Sequence, residues 1–391
     1  MKRLFSIILL TLLWCAPAAA EELLVNWAAP LKNEFASIKK REYAGVFYHE
    51  GHLYAALRSG RIVAFDREGR RLGERRFSGE FLIPPVAAPG GILVCESNTV
   101  RLLKPDLTEI WNVPGKSPIV SSPLVSSGGI FLQFAENTLY LVDPLTGAIR
   151  ANYTFYGEDP LSYALLGRPV VYGDKTAFGF SNGQIIFFLL KKDASSGVEE
   201  LLPYYKYQTG GSAAVFDKKE FHDIFSLLPG AEGNLLFSNG EGGGAIQVAD
   251  GSVTKRAEMR NLTLVELAGG EVLAYGEGGV LLLAKDGTVS RRLFATTGFV
   301  TGYVAGGEYA FFTDSLGTVS VWDGALTGRL TGTRIPQGVS SGGVWAEGSF
   351  YVLSDMGVLY SFSVVKNPKV QKILEKIKKD DMKDGSSRIS E

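Results

Sequence analysis

The stretch Leu139-Tyr140-Leu141-Val142-Asp143-Pro144-Leu145-Thr146-Gly147 contains the pattern on which the fold prediction rests. Apolar residues over 139–142 indicate a strand, and the Asp, Pro and Gly that follow are typical of a tight turn. Upstream, Gly129 begins an earlier apolar run, which ends in another turn signal at Asn137. Two apolar runs joined by a small polar turn predict a β-hairpin.

The same pattern recurs along the chain. Each copy has a Gly, an apolar run, a small polar turn, a second apolar run and often an Asp near a Gly. The eight copies begin at Gly51, Gly91, Gly129, Gly173, Gly233, Gly270, Gly307 and Gly348, with steps of 40, 38, 44, 60, 37, 37 and 41 residues. A period of about 40–45 residues with several strands per unit is typical of propeller blades. A sandwich would not generate eight such periods. We therefore predict an all-β fold, an eight-bladed β-propeller of four-stranded antiparallel blades.

The two ends of the repeat region complement each other. The last copy reaches Val365 and turns at Lys366-Asn367-Pro368, which leaves no residues for an outermost strand. Residues 22–28 resemble the Trp-containing strand that ends the second copy. We expect this N-terminal strand to complete the last blade, because closing the ring removes exposed sheet edges.

Composition limits the classes of protein that the chain can represent. Lys and Arg number 40 against 41 Asp and Glu, and the net charge is −1. This balance excludes a strongly basic nucleic-acid binder and an acidic disordered chain. Glycine, at 47 of 391 residues, exceeds the usual share of about 7% while 46% of the residues are hydrophobic. Turn-rich β structure with a core is the expected result.

Residues 1–20 have the pattern of a secretory signal peptide. Lys2 and Arg3 precede the apolar stretch Leu4–Trp14, and Ala18-Ala19-Ala20 forms a small-residue cleavage site. The predicted location is the periplasm. An uncleaved anchor is an alternative, although the apolar run is shorter than the roughly 20 residues that a spanning helix needs.

Lipid attachment at Cys15 is a second alternative, and it would make the chain an outer-membrane lipoprotein. Bacterial lipoprotein signals place a small residue before the modified Cys, and Trp14 fits that position poorly. After cleavage only Cys95 remains, so the mature chain cannot form an intramolecular disulfide. Cys95 lies in a β run and is expected to be a small core residue.

The repeats resemble those of the pyrroloquinoline-quinone-like (PQQ-like) propeller family. The resemblance rests on 139–147 (LYLVDPLTG), 60–66 (GRIVAFD) and 317–323 (GTVSVWD) and extends over about 22–365. Within that group the chain is most similar to the BamB family of outer-membrane assembly factors. The resemblance implies a non-catalytic scaffold that binds envelope proteins through loops on one rim. The poor lipoprotein signal departs from that family's pattern.

Quinone-dependent dehydrogenases share the blade pattern and are the enzymatic alternative. Many carry adjacent cysteines beneath the cofactor, and this sequence has no Cys-Cys pair. We therefore predict no cofactor and no enzymatic activity. A quinone- or small-ligand-binding propeller and a binder of envelope polymers or sugars remain open as alternatives.

Two short motifs superficially suggest chemistry. His49-Glu50-Gly51-His52 has its two His three residues apart, whereas the zinc-protease motif needs them four apart on a helix. Side chains three apart on one strand point to opposite faces. Residues 240–245 match a loose dinucleotide fingerprint, but a strand follows where that fingerprint needs a helix. We predict no catalytic or metal-binding residues here and a hairpin turn at 240–245.

The step of 60 residues between the fourth and fifth copies contains the candidate binding residues. The excess of about twenty residues over 191–225 predicts a functional or disordered loop. Tyr204, Tyr205 and Tyr207 are the partner-binding candidates, because Tyr supplies large contact area at low entropic cost. The alternative is an outer strand with these tyrosines packed on the blade.

The tail carries an amphipathic pattern. Val370, Ile373, Leu374 and Ile377 share one helical face, with lysines around it, and the chain turns polar after Asp380. The helix could pack on the propeller or contact a partner or a membrane surface. The expected domains are a signal peptide over 1–20, the propeller over 21–365 and a helix with a disordered tail over 366–391. The chain is expected to be a monomer, with at most peripheral membrane contact and no nucleic-acid partner.

Deleting residues 21–29 tests the predicted closure. The deletion is expected to lower the melting temperature strongly, because it leaves the last blade without its outermost strand. Circular dichroism on the mature chain with and without this segment measures the effect. An unchanged melting temperature would contradict the closure.

Overall fold

The computed structural model describes residues 21–31, 41–136, 138–154, 165–209, 223–231 and 233–366. The predicted signal peptide and the predicted C-terminal helix lie outside these residues, as does 210–222 of the insertion. Strands make up nearly all of the regular structure, and one 3-10 turn spans Ala257–Met259. None of the described residues forms a helix of the length and apolarity that a bilayer crossing requires.

Seven sheets, numbered here in order of the chain, contain all the strands of the described residues. Sheet 1 consists of β2 (Val46–His49), β3 (His52–Leu57), β4 (Arg61–Phe65) and β5 (Arg71–Arg76). Sheet 2 consists of β6 (Val86–Ala88), β7 (Gly91–Glu96), β8 (Thr99–Leu103) and β9 (Glu109–Pro114). Sheet 3 consists of β10 (Leu124–Ser126), β11 (Gly129–Phe134), β12 (Thr138–Val142) and β13 (Ile149–Thr154). Sheet 4 consists of β14 (Val170–Tyr172), β15 (Lys175–Gly179), β16 (Gln184–Lys192) and β17 (Glu199–Gln208). Sheet 5 consists of β18 (Ser226–Pro229), β19 (Asn234–Asn239), β20 (Gly242–Gln247) and β21 (Val253–Arg256).

The last two sheets depart from this regular order. Sheet 6 has six strands, β22 (Leu262–Glu266), β23 (Val272–Leu283), β24 (Val289–Gly306), β25 (Tyr309–Asp314), β26 (Thr318–Asp323) and β27 (Arg329–Arg334). Sheet 7 joins β28 (Val344–Ala346), β29 (Ser349–Leu353) and β30 (Val358–Lys366) to β1 (Glu21–Pro30). The prediction of four-stranded antiparallel blades is confirmed for six of the seven sheets.

The predicted number of blades is wrong, because the described chain forms seven sheets where eight were expected. The repeats that begin at Gly270 and Gly307 share sheet 6. β24 pairs with β23 as far as Phe299 and with β25 from Val300 onward, so it runs through both repeats without a break.

Sheet 6 bends within β24 so that its two halves pack against each other. Leu273, Val280 and Leu282 from the first half form one apolar cluster with Phe312 and Trp322 from the second half. Residues on a flat sheet could not meet face to face in this way. The two halves therefore bury apolar surface between them, as neighbouring sheets do elsewhere in the ring.

The predicted closure by the N-terminal strand is confirmed. β1 pairs antiparallel with β30 from Glu21↔Lys366 to Pro30↔Val358, with one register shift between Val25 and Trp27. Sheet 7 thus contains residues from both ends of the described chain. Trp27 and Ala29 also pack against the cluster that joins sheets 7 and 1.

The core consists of apolar clusters between neighbouring sheets. All six residues of β7 and all six of β11 are buried, because the middle strands of a sheet face a neighbour on both sides. Between sheets 2 and 3, Leu102 and Trp111 pack with Leu132 and Phe134. Full burial of one such side chain contributes about 1.5–3 kcal/mol. Stability therefore depends on the whole ring of sheets.

A hydrogen bond from the outermost strand of one sheet to a turn of the next recurs around the ring, and we call it the inter-sheet latch. The donors and their carbonyl acceptors are Trp27 Nε1 to Arg67 (3.0 Å), Arg75 Nη1 to Leu107 (2.9 Å), Trp111 Nε1 to Pro144 (3.1 Å) and Tyr207 Oη to Val248 (2.7 Å). A similar bond, from Arg291 Nη2 to the Leu326 carbonyl (3.0 Å), joins the two halves of sheet 6. Each latch holds two sheets in register at the outer edge of the propeller.

The repeated Asp and Gly shape the turns that accept the latches. Asp143 Oδ1 accepts hydrogen bonds from the backbone N–H groups of Leu145 and Thr146 and from the Thr146 hydroxyl. These bonds hold the pKa of the Asp143 carboxyl below its usual value. Gly147 then adopts φ +73°, and a Cβ there would lie 2.8 Å from the Trp111 ring. Glycine is needed both for the backbone conformation and for the ring that packs on it.

Two alanine substitutions distinguish the backbone requirement for glycine from the packing requirement. Gly147→Ala and Gly173→Ala both place a Cβ on a residue with positive φ, but a Cβ at Gly173 meets nothing within 4 Å. Both variants should lose about 1–2 kcal/mol from the backbone conformation. Gly147→Ala should lose about 1–3 kcal/mol more, because the Trp111 ring must move. Urea denaturation measures the difference, and equal midpoints would show that the packing of the Trp111 ring on Gly147 does not require glycine.

Candidate functional site

The three candidate tyrosines lie on β17, the outermost strand of sheet 4. β17 pairs with β16 from Gln184↔Gln208 to Lys192↔Glu199, so this part of the insertion is an outer strand, as the alternative expected, and not a loop. β16 and β17 are longer than the corresponding strands of sheets 1, 2, 3 and 5. The corresponding strands of sheet 7, β30 and β1, are as long as β16 and β17. The extra residues extend the pairing, which satisfies their backbone groups within the sheet.

A β-bulge decides where the tyrosines point. Phe187 pairs with Tyr205 and Phe188 pairs with Pro203, so Tyr204 is an extra residue without a partner on β16. Pro203 lies at the bulge on an edge strand. Proline is tolerated there because its missing N–H removes no hydrogen bond between the central strands of the sheet. The bulge brings the Tyr204 and Tyr205 rings together at 4.4 Å, and Tyr205 lies 6.0 Å from Tyr207. All three rings therefore lie together, although strict alternation would separate Tyr204 from the others.

Tyr207 is held within the propeller. Its ring packs edge-on against Phe187 at 5.7 Å, and its hydroxyl donates the latch hydrogen bond to Val248. The ring also lies over Gly251 of the next sheet, where a Cβ would come within 3.1 Å. Burial, together with the nearby Tyr205, raises the pKa of the Tyr207 hydroxyl. Tyr207 thus occupies the latch position that Trp111 occupies between sheets 2 and 3.

Tyr204 and Tyr205 are directed outward, with exposures of 55% and 36%. The Lys175 ammonium lies 4.8 Å from the centre of the Tyr204 ring, a cation–π geometry. Asp174 accepts a hydrogen bond of 2.5 Å from Lys175 and thereby raises the pKa of the ammonium. A side-chain hydrogen bond with Tyr204 raises the pKa of the Tyr205 hydroxyl. We call Lys175, Tyr204 and Tyr205 the tyrosine patch.

The His motif forms a two-residue hairpin. His49 ends β2, His52 begins β3, and the two are cross-strand partners. The expectation of opposite faces is wrong, because partners across a hairpin share a face. His52 Nδ1 lies 2.9 Å from the Glu50 carbonyl, and His49 Nε2 lies 3.7 Å from the Glu50 carboxylate. Among the described residues, no three or more His, Cys, Asp and Glu side chains are grouped so as to hold a metal ion.

The glycine-rich motif and the lone cysteine have the structural roles that the sequence predicted. Residues 240–245 form the turn between β19 and β20 and the start of β20, which confirms the hairpin. A Cβ at Gly243 would lie 2.5 Å from the Phe237 carbonyl oxygen, so close packing requires glycine there. Cys95 is 2% exposed, and burial raises the pKa of its thiol to about 12. A thiol with that pKa is not a nucleophile near neutral pH.

Sequence reasoning missed a cavity of about 230 Å³ in sheet 6. It lies where β24 passes from one half of the sheet to the other, and its lining includes Phe294, Phe312, Asp314, Trp322 and Arg329. The residues come from four strands that belong to two different repeats. No signal within one repeat could have indicated it, because it is formed by the packing of two.

The fold of the described residues is that of a β-propeller. Residues 25–201 match the family model described as outer membrane protein assembly factor BamB. The predicted resemblance to PQQ-like, BamB-like propellers is thereby confirmed.

Solved structures show the same fold at low sequence identity. The crystal structure of BamB from Moraxella catarrhalis has a TM-score of 0.63 at 14% identity and covers 88% of this chain and 100% of that one. The computationally designed protein Ika8 has a TM-score of 0.64 at 13% identity, covering 85% and 100% of the two chains. The C-terminal WD40 domain of Sif2 has a TM-score of 0.61 at 13% identity, covering 87% and 99%. No curated protein matches the sequence significantly.

Replacing single hydroxyl groups distinguishes the latch tyrosine from the patch. Tyr207→Phe removes the hydrogen bond to Val248 and leaves that carbonyl without its partner, so the free energy of unfolding should fall by about 1–2 kcal/mol. Tyr204→Phe makes the same chemical change at an exposed residue and should stay within about 0.5 kcal/mol of the parent chain. Urea denaturation of both variants makes the measurement. A larger loss for Tyr204→Phe would contradict these roles.

Proposed function

We propose that the chain is a periplasmic protein-interaction scaffold that acts in outer-membrane protein assembly. The observation that carries this proposal is the match of residues 25–201 to the BamB family model, supported by a propeller fold over the described chain. The residues 1–20 that resemble a signal peptide support export, and the poor lipoprotein signal favours a soluble protein in the periplasm. The scaffold would bind its partner non-covalently and catalyse no reaction.

The tyrosine patch is the proposed binding surface. Tyr204 and Tyr205 expose aromatic area on a strand whose backbone is fixed by nine pairs with β16, so little conformational freedom is lost on binding. Tyrosine combines an apolar ring with a hydroxyl that can hydrogen-bond, and it is enriched among residues that dominate binding energy. Lys175 adds a positive charge beside the rings, although Asp174 already pairs with it. Tyr207 would support the patch through its latch without contacting the partner.

Site-specific photo-crosslinking in living cells tests this surface. A photoreactive phenylalanine analogue at position 204 should crosslink to a component of the β-barrel assembly machinery, identified by mass spectrometry. The matched control places it at Leu72, which is 53% exposed on the outermost strand of sheet 1. The same band from position 72, or no assembly component from position 204, would contradict the proposed surface.

A genetic measurement tests the function separately from the surface. Loss of the gene should lower the amount of folded β-barrel proteins in the outer membrane, and the parent chain should restore it. A Tyr204→Ser/Tyr205→Ser variant should fold with an unchanged melting temperature and restore it only partly. Unchanged β-barrel levels in the deletion strain would contradict the assembly role. Redox activity of the purified protein after addition of pyrroloquinoline quinone and calcium would instead support the enzymatic alternative.

A further inference from the structure

A groove of about 320 Å³ lies between sheets 6 and 7, and we call it the turn groove. It is lined by the turn between β25 and β26, the turn between β29 and β30, and the connection that follows β27. Arg41, which precedes sheet 1, completes the lining. A Cβ at Gly338 would lie 3.0 Å from Asp355 Oδ2 and 3.1 Å from the Ser315 carbonyl oxygen. The two turns therefore meet at this glycine.

Two exposed apolar side chains lie in the turn groove. Leu316 is 45% exposed and Met356 is 37% exposed, and each precedes the glycine of its turn. The residues before the corresponding turn glycines of sheets 1 and 4 are Ser59 and Asn182. The turns that line the groove thus replace a polar residue with an apolar one. An apolar side chain left exposed in a groove gains free energy when a partner covers it.

The two turns are held in place by the protein's own contacts. Asp314 Oδ1 accepts a hydrogen bond of 3.0 Å from the Leu316 N–H. The Asp355 N–H donates to the Gly338 carbonyl at 3.0 Å. A Cβ at Gly298 would lie 3.0 Å from Leu316 Cγ, so the Leu316 side chain packs on that glycine. A surface that is already ordered loses little conformational freedom when it binds a partner.

The groove is also rich in hydrogen-bond donors. Arg334 is exposed, and its Nε makes only a long bond, of 3.4 Å, to a backbone carbonyl of the β25–β26 turn. Gln337 Oε1 accepts a bond of 3.2 Å from the Tyr360 hydroxyl, so the Gln337 Nε2 group can still donate. Ser315 Oγ accepts a bond from the Phe299 N–H, and its own hydroxyl hydrogen can likewise donate. These donors favour a partner that supplies acceptors.

The charges that line the groove favour an anionic partner. Asp355 is the one acidic residue among the described residues of the lining. Its two carboxylate oxygens accept bonds from the Ser340 N–H and hydroxyl, at 2.8 and 2.9 Å. Arg41 Nε lies 3.9 Å from Asp355 Oδ2, and the Arg41 side chain is 62% exposed. Two guanidinium groups, from Arg41 and Arg334, thus stand against one carboxylate that already accepts bonds from Ser340.

We propose that the turn groove binds an acidic segment of a partner protein, with apolar side chains between the acidic ones. Carboxylates of that segment would accept bonds from Arg41, Arg334 and Gln337. Its apolar side chains would cover Leu316 and Met356. Each guanidinium would pair with a separate carboxylate, so no single charged group must reach both. A free anion would use the donors but leave both apolar side chains exposed, which is why the geometry favours a protein segment.

This proposal goes beyond the proposed function and does not rest on it. The turn groove lies at sheets 6 and 7, whereas the tyrosine patch lies on sheet 4. Loss of one surface by substitution leaves the other intact. Experiments on the groove therefore succeed or fail independently of the crosslinking and genetic measurements described above.

Fluorescence anisotropy with labelled peptides tests the chemistry of the partner. The peptide Glu-Leu-Glu-Leu-Glu should bind the mature chain, residues 21–391, with a Kd below about 1 mM. The matched peptide Gln-Leu-Gln-Leu-Gln should bind at least about tenfold more weakly, because its bonds to the guanidinium groups are no longer charge-assisted. Added salt should weaken binding of the acidic peptide, since the charges involved are exposed. Equal affinity of the two peptides, or no binding of the acidic one, would overturn the proposal.

Charge-removing variants assign the binding to the groove. The double variant Arg41→Gln/Arg334→Gln should weaken binding of the acidic peptide about tenfold. Arg329→Gln is the matched control, because Arg329 is exposed on β27 with Arg334 but does not line the groove. All three side chains are exposed, so the melting temperatures should stay unchanged. Equal loss in the control, or unchanged binding in the double variant, would contradict the assignment.

A second pair of variants tests the apolar contact. Leu316→Ser should weaken binding of the acidic peptide about threefold or more, because exposed apolar area is removed from the contact. Leu145→Ser is the matched control, since Leu145 is 70% exposed in a turn of sheet 3 and should have no effect. Unchanged binding by Leu316→Ser would show that charge alone is recognised and would overturn the choice of partner. So would binding of the parent chain to phosphatidylglycerol vesicles that the double arginine variant loses.

Discussion

Face-to-face packing of sheets is the interaction on which the rest of the structure depends. The middle strands of each sheet are apolar on both faces, so a single sheet would expose as much apolar surface as it buries. In a ring, both apolar faces of a sheet are buried only when that sheet has a neighbour on each side. The pairing of β1 with β30 completes sheet 7 from the two ends of the described chain, and Trp27 then packs against the cluster shared with sheet 1. The apolar cluster between sheets 7 and 1 therefore depends on the closing strand.

The outer edge of the ring shows how one strand position serves both stability and surface. Trp27, Trp111 and Tyr207 each place an aromatic ring over the next sheet and donate a hydrogen bond to a carbonyl in its turn. On β17, the bulge at Pro203 adds one residue, so Tyr204 and Tyr205 lie beside the latch tyrosine and remain exposed. The proposed binding surface is therefore supported from behind by an inter-sheet contact. Its position is fixed by the same packing that closes the ring.

The fold alone does not specify a function. A bacterial BamB, a designed protein and a WD40 domain share this architecture with the chain at 13–14% identity. Such different proteins can share a propeller because its stability comes from sheet packing, while loops, outer strands and cavities are free to differ. Function must be sought in features that depart from the repeat. The tyrosine patch and the sheet 6 cavity are two such departures, one caused by an extra residue and the other by the joining of two repeats.

The sequence by itself determined the hairpins, the turns and the closing strand. Each of these depends on residues close together in the chain, such as Asp143 and Gly147 in one turn, or on a recurring pattern such as the Trp strand at 22–28. The tertiary structure alone decided that two repeats share sheet 6, that Tyr204 lies beside Tyr205, and that His49 and His52 share a face. Residue patterns report local backbone preference, whereas strand register, bulges and the meeting of distant strands depend on which surfaces pack together. The cavity beside Trp322 belongs to this second group, because its walls come from two repeats that meet only through the register and bend of sheet 6.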